Sequence, residues 1–453
     1  MMPSRAQSLL RRSTARSCAA LTPNSGYVTR LSPPPRAQVC QASQQRTWTT
    51  LTRGREALTV HALNDTPFPY VWLRDSCQAP SSVHPSTRQK LHRTSDVPVD
   101  VQPAPGGDSV HVRAGTSADG KEEGEAVSIV WKDGHESVYT REFLERYAIP
   151  GRLEAFHGDE YLRERAWTRA DIERVPGLYI DYEGDEGVQD TDAGLLRAMT
   201  HLAQYGLLFV RGVPHRETSD KRCELRVLAE RFGEIRPTFY GLLWDVVNLR
   251  ESRNIAYTNL DLGMHMDLLY FQHPPRYQIL HCLRNQVIGG TSIFVDGLHA
   301  ARTLRETHPE YFDTLTKTPV SFHYINDGHH LHHEHHTIEL DTRTGEISHI
   351  NYSPPFQAPL PLNTPAEFYP ALKEFARLLN DPQHTYEYTL KEGDAVVFDN
   401  RRVLHARTAF RDKPGDEGKD EETNRWLKGC YLEADALLDR MRVLRRLESS
   451  SER

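Results

Sequence analysis

No stretch of this chain approaches the roughly 20 consecutive apolar residues that a membrane-spanning helix requires, so no such helix is expected. Cysteine is scarce. The six in 453 residues (Cys18, Cys40, Cys77, Cys223, Cys282 and Cys430) show no spacing of a disulfide framework and read as reduced thiols of an intracellular protein. Neither sign of charge dominates, and a net charge of −7 gives no reason to expect a nucleic-acid surface. Acidic residues are missing altogether before Glu56, a stretch filled instead with arginines from Arg5 to Arg55, serines and threonines. An arginine-rich, serine-rich, acid-free segment has the composition of an organelle transit peptide. Residues 1–55 are therefore read as a mitochondrial leader addressing the matrix.

Residues 56–150 alternate in a β-like way. LTVHAL, YVWLRD, VHVRA and AVSIVWKDGHESVYT each read as short strands, with Asp133-Gly134 as a hairpin turn and REFLERYA as a closing helix. Pro150-Gly151 marks a boundary. From 151 to about 447, strand-like segments recur between amphipathic helices such as DAGLLRAMTHLAQYG, which should stop at Gly206. Short strands dominating a long region predict a mainly β fold with flanking helices, of sandwich or jelly-roll type. Two polar stretches read as exposed loops: RDKPGDEGKDEETN at 411–424, and the histidine tract HHLHHEHH at 329–336, whose imidazoles nothing in the sequence organises into a metal site.

Chemistry concentrates between Tyr257 and Gly297. His265 and Asp267 stand two apart, and in an extended segment such residues project to the same side. Far downstream, His405 follows the strand-like AVVF. Two imidazoles and one carboxylate with open coordination positions suit non-haem Fe(II) oxygen chemistry, although a lone H-x-D is a weak signal.

The motifs YGLLW, NIAYT, H-x-D, HPPxxQxLHC, GGTSIFVDG, FDNRRVLH and RWLKGCY occur in this order. Through them nearly the whole chain after the leader resembles the γ-butyrobetaine and trimethyllysine dioxygenases, Fe(II)- and 2-oxoglutarate-dependent hydroxylases. That resemblance implies a double-stranded β-helix (jelly-roll) core behind a small β-rich domain. It implies His265, Asp267 and His405 as iron ligands, and Arg425 with Ser292 as the holders of 2-oxoglutarate. Tyr240, Trp244, Tyr257 and Tyr431 become an aromatic cage for a trimethylammonium group, which cannot donate a strong hydrogen bond and is gripped by ring faces. Asn254 becomes the partner of the substrate carboxylate. The co-substrates would be 2-oxoglutarate and O₂, with ascorbate as reductant, and homodimerisation is an expectation of the same kind.

Asn254 favours γ-butyrobetaine, giving L-carnitine. The mitochondrial leader fits trimethyllysine hydroxylation better, and Ser353, where the butyrobetaine enzymes carry a second asparagine, departs from their pattern, so that trimethyllysine and another betaine-like acid both stand as alternatives. A non-catalytic betaine-binding protein is a rival from another class, and the retained triad and arginine argue against it. A zinc hydrolase would need a water-activating base beside the metal, and none is recognisable. The family's zinc site in the small domain, C-x-C-x-x-C with a distant histidine, survives only as Cys77 and His135. Ala79 and Ser82 take the other two places, and structural zinc normally needs four protein ligands. No structural zinc is predicted.

Overall fold

A computed structural model describes Trp48 and residues 50–116, 122–247, 258–413 and 424–451. The expected leader up to Thr47, Asn254, Tyr257 and most of the polar 411–424 stretch lie outside these residues. The chain divides into two compact units, Met1–Ala114 with Glu125–Val138, and Gly115–Gly124 with Tyr139–Arg453. Pro150-Gly151 instead falls between two helices of the larger unit, Arg141–Ala148 and Arg152–His157.

The smaller unit carries two three-stranded sheets. One begins at Leu51–Arg53, which composition had assigned to the leader. These residues pair with Ala57–Val60, and the Arg53 guanidinium donates to the carbonyls of Gly106 and Ala104 and to Ser109 Oγ. Composition cannot register such long-range partners. The other sheet is the meander Val110–Thr116, Glu122–Val130 and Glu136–Thr140, with Gly134 at φ 81° in the expected turn. YVWLRD is a helix rather than a strand, Tyr70–Asp75, because Tyr70 and Leu73, three apart, are buried together.

The larger unit is organised around AVVFD, every residue of which is buried, as a central strand covered on both faces must be. In chain order its site-bearing strands are Tyr179–Asp181 (β1), Leu207–Arg211 (β2), Trp244–Val247 (β3), Leu262–His265 (β4), Tyr277–Asn285 (β5), Ser292–Asp296 (β6), Thr385–Tyr388 (β7), Ala395–Asp399 (β8), Val403–Arg407 (β9) and Arg425–Leu432 (β10). One sheet runs β3-β10-β5-β8-β2-β1 and the other β4-β9-β6-β7. All these neighbours are antiparallel except β1 and β2.

The inner faces meet through aromatic side chains. Phe294 of β6 lies 5.8 Å, centroid to centroid, from both Phe209 of β2 and Phe398 of β8. The outer face of the larger sheet is covered by the helix Asp192–Tyr205, whose Leu195, Met199 and Leu202 pack with Ile279, Val397 and Cys430. Thr191 caps it by accepting from Gly194 N–H. Gly206 ends it at φ 71°, in the left-handed region glycine enters without strain. The result is a mainly β core with helices outside. The histidine tract is not a loop. His329–His336 is a strand paired along its length with Pro319–Asn326, and its alternation buries His335 while leaving His330, His332 and Glu334 exposed.

Candidate active site

His265 closes β4 and is the cross-strand partner of His405 on β9. Directly opposed residues of an antiparallel pair bring their side chains together, and the two rings lie 4.1 Å apart. Asp267 follows two residues on. One ligating atom from each of the three lies within 4.8 Å of the other two, and among the described residues no other such trio of His, Cys, Asp or Glu forms.

The donors are set for a cation. His265 Nδ1 is 2.8 Å from the Gly263 carbonyl, an acceptor only, so the ring proton belongs on Nδ1. Nε2 then presents a lone pair toward Asp267 Oδ1, 3.5 Å away. Two acceptors facing each other in a largely buried place are an unfavourable arrangement unless a cation joins them. Burial, with help from neighbouring His265, pushes the His405 imidazole down to about 3, Asp267 only partly offsetting it. The ring is therefore neutral at physiological pH. Its Nδ1 is buried with no hydrogen-bond partner among the described residues. Burial alone would raise the Asp267 carboxyl, but a positive charge placed between it and His265, together with the bond from the Tyr431 hydroxyl, outweighs burial and holds the group well below the usual carboxylate range.

These three residues border a pocket that also takes in Tyr240, Trp244, Tyr431, Ser292 and Arg425. Arg425 opens β10 and is 4% exposed. Its guanidinium carbon lies 5.2 Å from the Phe410 ring, and that of Arg407 lies 5.0 Å from the same ring. Burial and the charge of Arg407 push Arg425 down to about 10. Gly290, at φ +70°, makes room for it, since a Cβ there would come within 3.0 Å of Arg425 Nε. This is the physical content of the GGTS motif, whose Ser292 lies opposite Arg407.

Trp244 of β3 lies flat over Gly429 of β10, where any Cβ would fall 2.2 Å from the indole. It meets Tyr431 at 5.3 Å. Tyr431 does more than line a wall: its hydroxyl donates to Asp267 Oδ2 at 2.9 Å, and burial with the nearby Asp267 charge raises its pKa far above normal.

Three pocket residues are absent from the expected set. Tyr270 reaches the pocket because the backbone turns back at Leu268, and its hydroxyl is 3.4 Å from that of Tyr240. Phe356 meets Tyr270 edge-on at 5.3 Å. Gln278 is 1% exposed on the pocket side of β5, and its Oε1 is without a partner among the described residues. A lone polar residue in the otherwise apolar alternation of Tyr277–Leu280 was the available hint.

In the smaller unit, Cys77 Sγ is 3.2 Å from His135 Nε2, and Ser82 Oγ is 3.5 Å from the same nitrogen. The Ala79 N–H points at the sulfur. Cys77, Ser82 and His135, far apart in the chain, therefore meet at one point.

The family model described as "Taurine catabolism dioxygenase TauD, TfdA family" matches residues 172–431. A second, "Gamma-butyrobetaine hydroxylase-like, N-terminal", matches residues 50–145. "Dioxygenase str8" of Strobilurus tenacellus is 54% identical over 83% of this chain and 85% of its own length. The gamma-butyrobetaine dioxygenase of Pseudomonas sp. (strain AK-1) is 33% identical, over 84% and 91%. The mitochondrial trimethyllysine dioxygenase of Bos taurus is 29% identical, over 85% and 84%.

Proposed function

The chain belongs to the TauD, TfdA dioxygenase family and is a 2-oxoglutarate-dependent dioxygenase; from that premise we propose that it hydroxylates a small carboxylic acid bearing a trimethylammonium group, γ-butyrobetaine to L-carnitine. The observation that carries this reading is the joining of a two-histidine, one-carboxylate cluster to a pocket walled by Trp244, Tyr240, Tyr431, Tyr270 and Phe356. A jelly roll is the reading of its two facing sheets, antiparallel but for one edge pair.

His265, Asp267 and His405 suit ferrous iron, which prefers imidazole and carboxylate donors on one face with open positions left over. When bound there with 2-oxoglutarate, it supplies the O₂ activation that hydroxylation of an unactivated C–H bond requires. The chain's own residues bind and orient. Arg425 offers a planar fork matched to the distal carboxylate of 2-oxoglutarate, with Ser292 beside it, and an anion there relieves the mutual repulsion of Arg425 and Arg407. Ring faces attract a quaternary ammonium electrostatically and shed water around it, which holds the target carbon toward the metal side of the pocket. Tyr431 connects the two functions, one edge in the wall and its hydroxyl on the ligand carboxylate.

Asn254 and Tyr257 would complete the site as carboxylate donor and fourth ring of the cage. The arginine-rich leader would carry the enzyme to the mitochondrial matrix. In the smaller unit Cys77 and His135 would serve as a hydrogen-bonded pair rather than as ligands of a structural zinc.

The test is succinate release from 2-oxoglutarate with Fe(II) and ascorbate present. Release stimulated by γ-butyrobetaine supports the reading. Stimulation by trimethyllysine alone would move the protein to that reaction, and no stimulation by any trimethylammonium acid would refute the substrate class.

A further inference from the structure

Five described non-glycine residues have positive φ. Asn64, Asp65, Arg88 and Asp327 sit in exposed turns, and the fifth is Leu268 at φ 62°, buried and adjacent to Asp267. A left-handed backbone at a branched, buried residue is unfavourable and persists only where its surroundings over-determine it. Here much of the surrounding constraint comes from one side chain.

Asn400 follows β8 and is completely buried. Its Oδ1 accepts the Asp267 N–H at 2.9 Å. Its Nδ2 donates to the Asp267 carbonyl at 3.0 Å and to the Pro275 carbonyl at 3.1 Å. The Asn400 N–H itself donates to the Arg276 carbonyl at 2.6 Å. These partners fix the amide's orientation, because a flipped amide would set NH₂ against N–H and oxygen against two carbonyls. One residue therefore closes segment 267–276 at both ends. Its neighbours are anchored in turn: Asp399 pairs with Arg276 at 3.0 Å, and Arg402 forms two 2.9 Å bonds to Asp296.

We infer that Asn400 is a positioning residue. By clamping the peptide groups on both sides of the Asp267 Cα, it holds the strained turn that aims the carboxylate at His265 and His405 before any metal arrives. This rests on the reading of Asp267 as a metal ligand. Asn400 is absent from the pocket lining, so it acts through the backbone it holds, Asp267 first. Partners that orient a ligating group typically carry a 10–100-fold share of metal affinity.

The experiment is calorimetric titration of the full-length protein with Mn(II), alongside the thermal midpoint of the metal-free form, for Asn400→Ala, Asn400→Asp and the control Asp267→Ala. Asn400→Asp keeps the acceptor for Asp267 N–H but turns an oxygen toward two carbonyls, so both Asn400 variants should lose about 10-fold or more in Mn(II) affinity. Unchanged affinity in either folded variant overturns the inference. So does failure of both to fold, since that assigns Asn400 to stability rather than aim. If Asp267→Ala also leaves Mn(II) affinity unchanged, the metal-site reading is what has failed.

Discussion

In two places of the larger unit a carboxylate lies between two histidines, though only one of them brings a ligating atom of each within 4.8 Å of the others, and the two are not alike. In one, His265 and His405 face Asp267 with lone pairs to spare. In the other, Glu339 is saturated: Oε1 takes Asn351 Nδ2 at 2.9 Å and faces His335 Nδ1 at 3.2 Å, while Oε2 lies 3.4 Å from Arg401 and 3.5 Å from His349 Nδ1. The second nitrogen of His335 is itself engaged, 3.0 Å from the Phe271 carbonyl. An arginine inside the cluster supplies the positive charge that a metal would supply in the first. Imidazoles and a carboxylate thus leave lone pairs facing one another in one place and form a structural brace in the other, and the difference lies in where the N–H groups point.

The largest effect that could break this contrast is His405→Ala. It should abolish iron-dependent turnover, by more than about 10³-fold since even orienting partners carry 10–100-fold, while circular dichroism stays native. His335→Ala should do the reverse, lowering the thermal midpoint with a far smaller change in turnover. Equal losses of activity from the two would erase the distinction.

Arg425→Ala comes next. Removing charge-assisted bonds worth about 1.5–3 kcal/mol should raise KM for 2-oxoglutarate roughly 10–100-fold, with the iron affinity little changed. An unaltered KM would remove Arg425 from the co-substrate.

A smaller effect is expected from Trp244→Ala, about 0.5–2 kcal/mol in binding of a trimethylammonium substrate. An uncharged tert-butyl analogue should lose less. Equal losses for the two would reduce the ring to bulk packing.

The smallest concerns the brace and depends on pH. Burial raises the Glu339 carboxyl, but His335, His349 and Arg401 hold it below the ordinary range. A depressed carboxylate contributes stability that is present above its unfolded pKa of about 4.3 and is lost as pH falls through the folded value. Glu339→Gln should therefore cost about 1–2 kcal/mol at pH 7, and the gap to the parent protein should narrow below about pH 4. A gap that stays constant from neutral to acid pH would show that the charge contributes nothing.

Local sequence carried the elements whose signal is periodic. The Asp192–Tyr205 helix with its Gly206 stop and the buried strand Ala395–Asp399 could both be read directly, whereas the strand that carries His265 ends there and Asp267 lies in the bend beyond it. Misreadings fell where periodicity misleads. Tyr70–Asp75 alternates like a strand yet buries Tyr70 and Leu73 as a helix, and His329–His336 looks unstructured yet pairs residue for residue with its neighbour. Tyr270 and Phe356 carry no spacing signal, because their place in the pocket depends on the left-handed turn at Leu268 and on a segment more than 80 residues away in the chain.

The amino-acid sequence by itself determined the donor types, the attachment of the two histidines to strands, and the motifs that mark a 2-oxoglutarate-dependent dioxygenase. Only the tertiary structure decided which histidines keep a lone pair and which spend their N–H groups on Glu339 and a carbonyl. It also decided that Tyr431 would serve the carboxylate as well as the wall. Those outcomes depend on the orientation of side chains from strands far apart in the chain, and hydrogen-bond direction, unlike hydrophobic periodicity, leaves no local trace.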